Sequence, residues 1–320
     1  MVRLLAIGDV TVDRIIGPFA ELPAWGQEAE YATAERRLGG NSGNLAAAAA
    51  ALGADVVVLG PVGNDASGAW LTGELASKGV RTERLVVVPS GLTSDTTALV
   101  RDDGERLFLT MPGVLSGLDA ILSMADFPSA DFAVFSGWCQ PPRVRSSTLH
   151  AAFTRLKQSG TRVVFDLAWS EASWRVRDDV LRTLAACDVV LMNEDELLGL
   201  TGVADLDAGC AHLVAALAHT VILIKRGRRG ALVAEPGQPV RSVAPIAVTS
   251  PQSTVGSGDV FIAGFVVALA ERPGDVRSAA EFGADYAMHL LMHGRDVKPT
   301  ISKIRAYRHL VPASQREGLA

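Results

Sequence analysis

The stretch Ser253-Thr254-Val255-Gly256-Ser257-Gly258-Asp259-Val260-Phe261 sets a Gly-Ser-Gly turn directly ahead of an apolar helix carrying Phe261, Ile262, Phe265, Val266 and Leu269. Small residues let the backbone approach a ligand closely, and the free N–H groups at a helix start hold negative charge. A carboxylate in that first turn, Asp259, would repel a phosphate and so needs a chemical reason to be there. Proton removal supplies one: Asp259 takes a proton from a hydroxyl while the amides of Gly256, Ser257 and Gly258 steady a phosphoryl group in transfer. Two other glycine-rich sites fail on spelling. A dinucleotide fingerprint needs a glycine at 261, where Phe261 stands, and a Walker-type loop needs Gly-Lys-Ser/Thr, which occurs nowhere. The bland alternative is an ordinary helix start whose acidic first turn suits the macrodipole.

A second site lies far upstream. Arg37-Leu38-Gly39-Gly40-Asn41-Ser42-Gly43-Asn44 leads into Leu45 and an alanine run ending at Leu52, with Gly53 expected just past the helix end. Two glycines and two amides before a helix can surround a small polar ligand with donors. The alanines let that helix lie very close to a sheet. A flexible turn with Asn or Ser as N-cap is the plainer reading, and it leaves the paired glycines unused.

Taken in this order, the two sites resemble the ribokinase or PfkB family of carbohydrate kinases. The resemblance covers almost the whole chain. It takes in Leu4-Leu5-Ala6-Ile7-Gly8-Asp9 with Asp13, the Gly39-Gly40-Asn41 segment, Leu52-Gly53-Ala54, and Gly60-Pro61-Val62-Gly63-Asn64-Asp65 with Gly68. It continues through Asn193-Glu194-Asp195-Glu196 and Lys225-Arg226-Gly227-Arg228-Arg229-Gly230 to the Gly256–Asp259 turn.

Strands alternate with helices along the chain. Apolar runs at Leu4–Ile7, Val56–Leu59, Phe132–Phe135, Val163–Phe165, Val189–Met192 and Val221–Ile224 read as buried strands. Between them, Ala69–Lys78, Ser146–Lys157, Val180–Ala186 and Ala208–Leu217 read as helices. That rhythm predicts an α/β fold, a mostly parallel sheet covered by helices on both faces, with ligands beyond the C-terminal strand ends. Asp9, Asn193 and Lys225 each follow a strand there. One region breaks the rhythm: Thr96–Val100 and Glu105–Thr110 read as a hairpin about Arg101-Asp102-Asp103-Gly104. With residues 11–38, the segment 94–112 resembles the family's small β lid, which would exclude water from the acceptor hydroxyl. Arg106 on its second strand either reaches the substrate or only pairs with a neighbouring acid, and the surface reading is favoured. Residues 1–320 are expected to form one domain, with no internal repeat or linker.

The resemblance implies roles residue by residue. Asp259 matches the catalytic base. Asp13 matches an aspartate that accepts sugar hydroxyls; Gly39, Gly40, Asn41 and Asn44 match the sugar-contacting segment, where the family often has a basic residue in place of Asn41. Asn193 and Glu196 fit an Asn-x-x-Glu element that helps place magnesium, and the same residues also spell an N-cap with an acidic first turn. Lys225 and Gly227 match the nucleotide turn; Arg226 is a candidate phosphate contact, and Arg228 and Arg229 read as a solvated tip. Two departures stand out. Ser253 replaces an aspartate of a monovalent-cation site, so potassium activation is not carried over. Phe165-Asp166-Leu167-Ala168-Trp169 replaces Asp-Pro-Asn, which keeps Asp166 but loses a polar contact.

Composition fits this reading. The chain has 320 residues and a formal net charge of −5, which argues against a nucleic-acid surface. Its three cysteines, Cys139, Cys187 and Cys210, lack zinc spacing and read as buried thiols in a reducing compartment. With no leader at Met1-Val2-Arg3-Leu4 and no apolar run of the ~20 residues a span requires, the expectation is a cytoplasmic enzyme. It would use ATP and magnesium to phosphorylate a hydroxymethyl group of a small sugar or polyol. A nucleoside kinase with Trp25, Phe108 or Trp138 as stacking wall, and a non-catalytic sugar binder, are the alternatives. An exposed lid edge suggests a homodimer through the lid.

Overall fold

Runs of Val, Leu and Ile too apolar to face water on either side become the inner strands of a large sheet. The computed structural model describes residues 1–103, 105–244, 256–294 and 299–307. Its strands are β1 (Arg3–Gly8), β2 (Thr11–Phe19), β3 (Thr33–Gly39), β4 (Asp55–Gly63), β5 (Arg81–Val88), β6 (Asp95–Arg101), β7 (Arg106–Met111), β8 (Phe132–Ser136), β9 (Arg162–Asp166), β10 (Val189–Asn193), β11 (Val221–Lys225), β12 (Ala231–Ala234) and β13 (Arg241–Val243). The helices are α1 (Asn41–Ala51), α2 (Ala66–Ser77), α3 (Leu118–Met124), α4 (Ser146–Gln158), α5 (Glu171–Trp174), α6 (Arg177–Ala185), α7 (Glu194–Thr201), α8 (Leu206–Ala216), α9 (Ser257–Glu271), α10 (Val276–His293) and α11 (Ile301–Ala306).

The large sheet has nine strands in the order β13-β12-β11-β10-β9-β8-β1-β4-β5. It is parallel from β5 to β11, and β12 and β13 add an antiparallel edge. Alternate residues of β1 serve opposite faces: Leu4 and Ala6 join the core under α1, α2, α9 and α10, whereas Leu5 and Ile7 join the one under α3, α4, α6, α7 and α8. Burial on both faces is why these strands read as unbroken apolar runs. Register aligns the strand ends: Gly8 pairs Ser136, Ser136 pairs Asp166, and Asn193 pairs Lys225. A single rim therefore gathers the turns that leave β1, β8, β9, β10 and β11.

A second sheet, ordered β3-β2-β6-β7, is made from the segments expected to form the lid. Its β2–β6 pair is parallel, flanked by antiparallel pairs. Asp13 lies opposite Thr96, which lies opposite Thr110, and the two threonine hydroxyls are 3.1 Å apart, so these residues share one face. Phe108 and Arg106 come next on that face at even spacing along β7. Arg106 makes no ion pair among the described residues, contrary to expectation. The three cysteines are buried and free. No single helix among the described residues is long and apolar enough to cross a membrane.

Candidate active site

Two helices begin at the same place, and both begin on glycine. Gly40 (φ 77°) precedes α1 and Gly256 (φ 75°) precedes α9; neither helix start has a side-chain cap. The polar N-cap that the plainer sequence reading gave α1 is therefore not formed: Gly40 holds that position, because its Cβ would lie 2.4 Å from the Asp9 carbonyl oxygen. The amides of a helix start suit an anion, but at α1 they already serve Asp9, which takes the Asn41 N–H with Oδ2 at 3.0 Å and the Gly43 N–H with its carbonyl oxygen at 3.3 Å. Across the gap, Asn44 Nδ2 donates to Asp259 Oδ2 at 2.9 Å, joining residues 215 positions apart. Asp259 sits in the first turn of α9 and is only 8% exposed. Burial, reinforced by the like charge of Asp166, pushes its carboxyl up to about 8, with the Asn44 amide and Lys225 opposing the rise.

Lys225 ends β11 with its amine 2.6 Å from Asp166 Oδ1, at the end of β9. Burial works against the ammonium, but Asp166 and Glu196 outweigh it and hold Lys225 above its ordinary range. The amine also lies 3.6 Å from where a side chain on Gly258 would begin, so it stands beside the turn that opens α9. Asp166 is thus the partner that orients Lys225. No local pattern links them, since they are 59 residues apart.

Asn193 and Glu196 form a capping box. Asn193 Oδ1 accepts from the Glu196 N–H at 2.8 Å, and Glu196 Oε2 accepts from the Asn193 N–H at 2.7 Å. Burial, with Asp166 adding, pushes the Glu196 carboxyl up to about 7 against the pull of Lys225. Gly227 (φ 53°) opens a short 3-10 turn after Lys225. The basic tip is not simply solvated: Arg226 Nε donates to Glu194 Oε1 at 2.8 Å, and Arg229 binds the other oxygen of Glu194. Those contacts tie the turn after β11 to the first turn of α7. Ser253, and with it the expectation about potassium, lies outside the described residues, as does Gly104 of the hairpin.

On the lid side, Thr11 Oγ1 donates to Asp13 Oδ1 at 2.8 Å. Asp13 lies flat over Gly39: a Cβ there would stand 1.9 Å from the same oxygen. This close approach explains the double glycine, one residue for the carboxylate above and one for the bend below. The sequence places Asp9 at a strand end but gives it no role. Its Oδ2 accepts from the Asn41 N–H at 3.0 Å, so a carboxylate at the end of β1 props the bend from beneath. Asn44 thus meets Asp259, Lys225 stands beside Gly258, and Asp13 lies over Gly39, while Asn193 is the register partner of Lys225 at the same rim.

The chain as a whole has counterparts among known proteins. A family model described as pfkB family carbohydrate kinase matches residues 2–297. A fructokinase of Klebsiella pneumoniae is 30% identical over 246 residues, covering 72% of this chain and 76% of that protein. An ATP-dependent ribose-1-phosphate kinase of Halopiger xanaduensis is 29% identical over 317 residues, covering 96% of this chain and 98% of the relative. Among solved structures, the fructokinase of Vibrio cholerae O395 bound to fructose, ADP and calcium superposes with a TM-score of 0.77 at 26% identity, covering 96% of this chain and 99% of the other. By its fold and this match along its length, the chain belongs to the pfkB family of carbohydrate kinases.

Proposed function

We propose that the protein transfers the γ-phosphoryl group of ATP to a hydroxymethyl group of a small sugar or sugar-like polyol. The observation that carries this is the 2.9 Å Asn44–Asp259 contact, which brings the double-glycine segment against the carboxylate at the start of α9. Asp259 removes the hydroxyl proton as the oxygen bonds to the γ-phosphorus; the bond to the bridging oxygen breaks and ADP leaves. The proton stays on Asp259, whose raised affinity suits that task. Amides of Gly256, Ser257 and Gly258 meet the charge on the phosphoryl oxygens, and Lys225 adds a fixed positive charge beside them. Asp13, Gly39, Gly40, Asn41 and Asn44 hold the acceptor, and the small sheet shields it from water.

Magnesium fits the donor chemistry. Asp166, Glu196 and Asp259 are buried carboxyl groups around the single ammonium of Lys225, each with its proton affinity raised by burial, and a divalent cation there would favour their ionised forms. No group of three or more ligating side chains gathers among the described residues, and magnesium seldom needs one, because it keeps waters and takes phosphate oxygens. Glu196 would hold it, Asn193 and Gly227 would flank the nucleotide, and the ion would neutralise phosphate charge.

A nucleoside acceptor is less well supported. Trp25 stands fully exposed and the Trp138 ring carries an arginine, which leaves Phe108 as the aromatic ring on the face of Asp13. A non-catalytic binder has no use for a buried, proton-seeking Asp259. The exposed Leu107, Phe108, Leu109 and Met111 on edge strand β7 favour a homodimer through the lid. The test is ADP release from ATP over a panel of pentoses, hexoses, polyols and nucleosides. Turnover confined to nucleosides, or absent throughout, would overturn the assignment.

A further inference from the structure

Beyond the end of β8 the chain bends through Gly137, Trp138 and Cys139 and reaches Arg143. The Arg143 guanidinium carbon lies 3.9 Å over the Trp138 ring. Arg143 has no ion-pair partner among the described residues, although Arg145, two residues on, takes Asp119 at 2.7 Å. The acid that acts on Arg143 is Asp9, whose Oδ2 holds the Asn41 N–H; its Oδ1 is buried without a hydrogen-bond partner and lies against Gly137, where a Cβ would stand 2.1 Å away. Trp138 and Arg143 are thus joined through Asp9 to the bend that carries Asn44, and through Asn44 to Asp259. They stand on the acceptor flank of the rim, between β1 and the phosphate side at β9.

A guanidinium stacked on an indole is restrained in position, yet its N–H edge stays open for two parallel bonds to an oxyanion. We propose that Arg143 is a specificity residue that binds an anionic group, phosphate or carboxylate, on the acceptor at the end remote from the hydroxymethyl being phosphorylated. This rests on the kinase reading and narrows it to sugar phosphates or sugar acids.

The experiment compares kcat/KM for ribose, ribose 1-phosphate and gluconate in the wild type, Arg143→Gln and Arg143→Lys. The wild type should favour one of the two anions over ribose, and the preferred anion identifies the group. Arg143→Gln should cut kcat/KM for that anion by about 10- to 100-fold, chiefly through KM, with ribose changed by less than about threefold. Arg143→Lys should recover part of the loss. A wild type that turns over ribose as well as both anions, or an Arg143→Gln enzyme that loses all three in parallel, overturns the inference and leaves the kinase reading intact. Failure of all three acceptors together with failure of the broader panel sinks both.

Discussion

Replacing Asp259 with Asn should move activity and stability in opposite directions. The substitution keeps the shape and leaves an oxygen to accept from the Asn44 amide, so the 2.9 Å contact can persist. Loss of a general base costs about 10²–10⁴-fold in kcat. The stability effect comes from the raised pKa. Below pH 3.8 the carboxyl is protonated whether the chain is folded or not; between 3.8 and about 8 the unfolded chain has released the proton while the folded one keeps it. Wild-type stability therefore falls with rising pH across that window, by about 1.4 kcal/mol per pH unit for this one group. The Asn variant lacks that slope. Its advantage over the wild type should grow between pH 5 and pH 7.5 by up to about 3 kcal/mol. Urea midpoints at the two pH values, with turnover measured alongside, check both signs. An advantage that stays constant with pH, or a kcat within a few-fold of wild type, would refute the assignment of Asp259 as a buried, proton-holding base.

Asn44→Ala removes the hydrogen bond that lowers the Asp259 pKa, so the rise of kcat/KM with pH should shift to higher pH; an unmoved profile would show the amide has no hold on the base. Gly39→Ala would drive a methyl group to 1.9 Å from Asp13 Oδ1. Displacing that carboxylate should raise KM for the acceptor about tenfold or more and leave KM for ATP unchanged, which separate saturation curves resolve. A lid-paired dimer should sediment at twice the chain mass and revert to monomer when Leu107 and Leu109 become Lys; a monomeric wild type refutes it.

The strands and the meeting of Asn44 with Asp259 at the rim were legible because each rests on local pattern. Val163–Phe165 and Val221–Ile224 are apolar on both faces, and only a doubly covered sheet explains that. The Asp259 and Gly39-Gly40 segments carry the features behind their proposed roles in a few adjacent residues. The hidden part depends on pairing across distance. Asp166 acquires its role only when register brings β9 and β11 to one rim, and Asp9 only when the bend folds back over β1. The alternative reading of Asn193 and Glu196 as a helix cap also holds, since the reciprocal bonds form. Helix α2 starts three residues earlier than Ala69, because Asp65 accepts from the Gly68 N–H and caps it. The Arg226 and Arg229 contacts with Glu194 escape any local rule, being 32 and 35 residues long in sequence.

The alanine-rich face of α1 rests directly on α9, with Ala46 and Ala49 buried among Val260, Ala263 and their neighbours, and the Tyr286 hydroxyl of α10 donating to the Ala48 carbonyl at 3.0 Å. Small side chains leave little slack between those helices, so Asn44 and Asp259 ride on one rigid block. On the proposed reading, opening and closing for substrate exchange would fall to the short crossings into the four-stranded sheet. On that reading, the acceptor contacts that the small sheet supplies, Asp13 among them, could be refitted while the proton-transfer geometry underneath stays as it is.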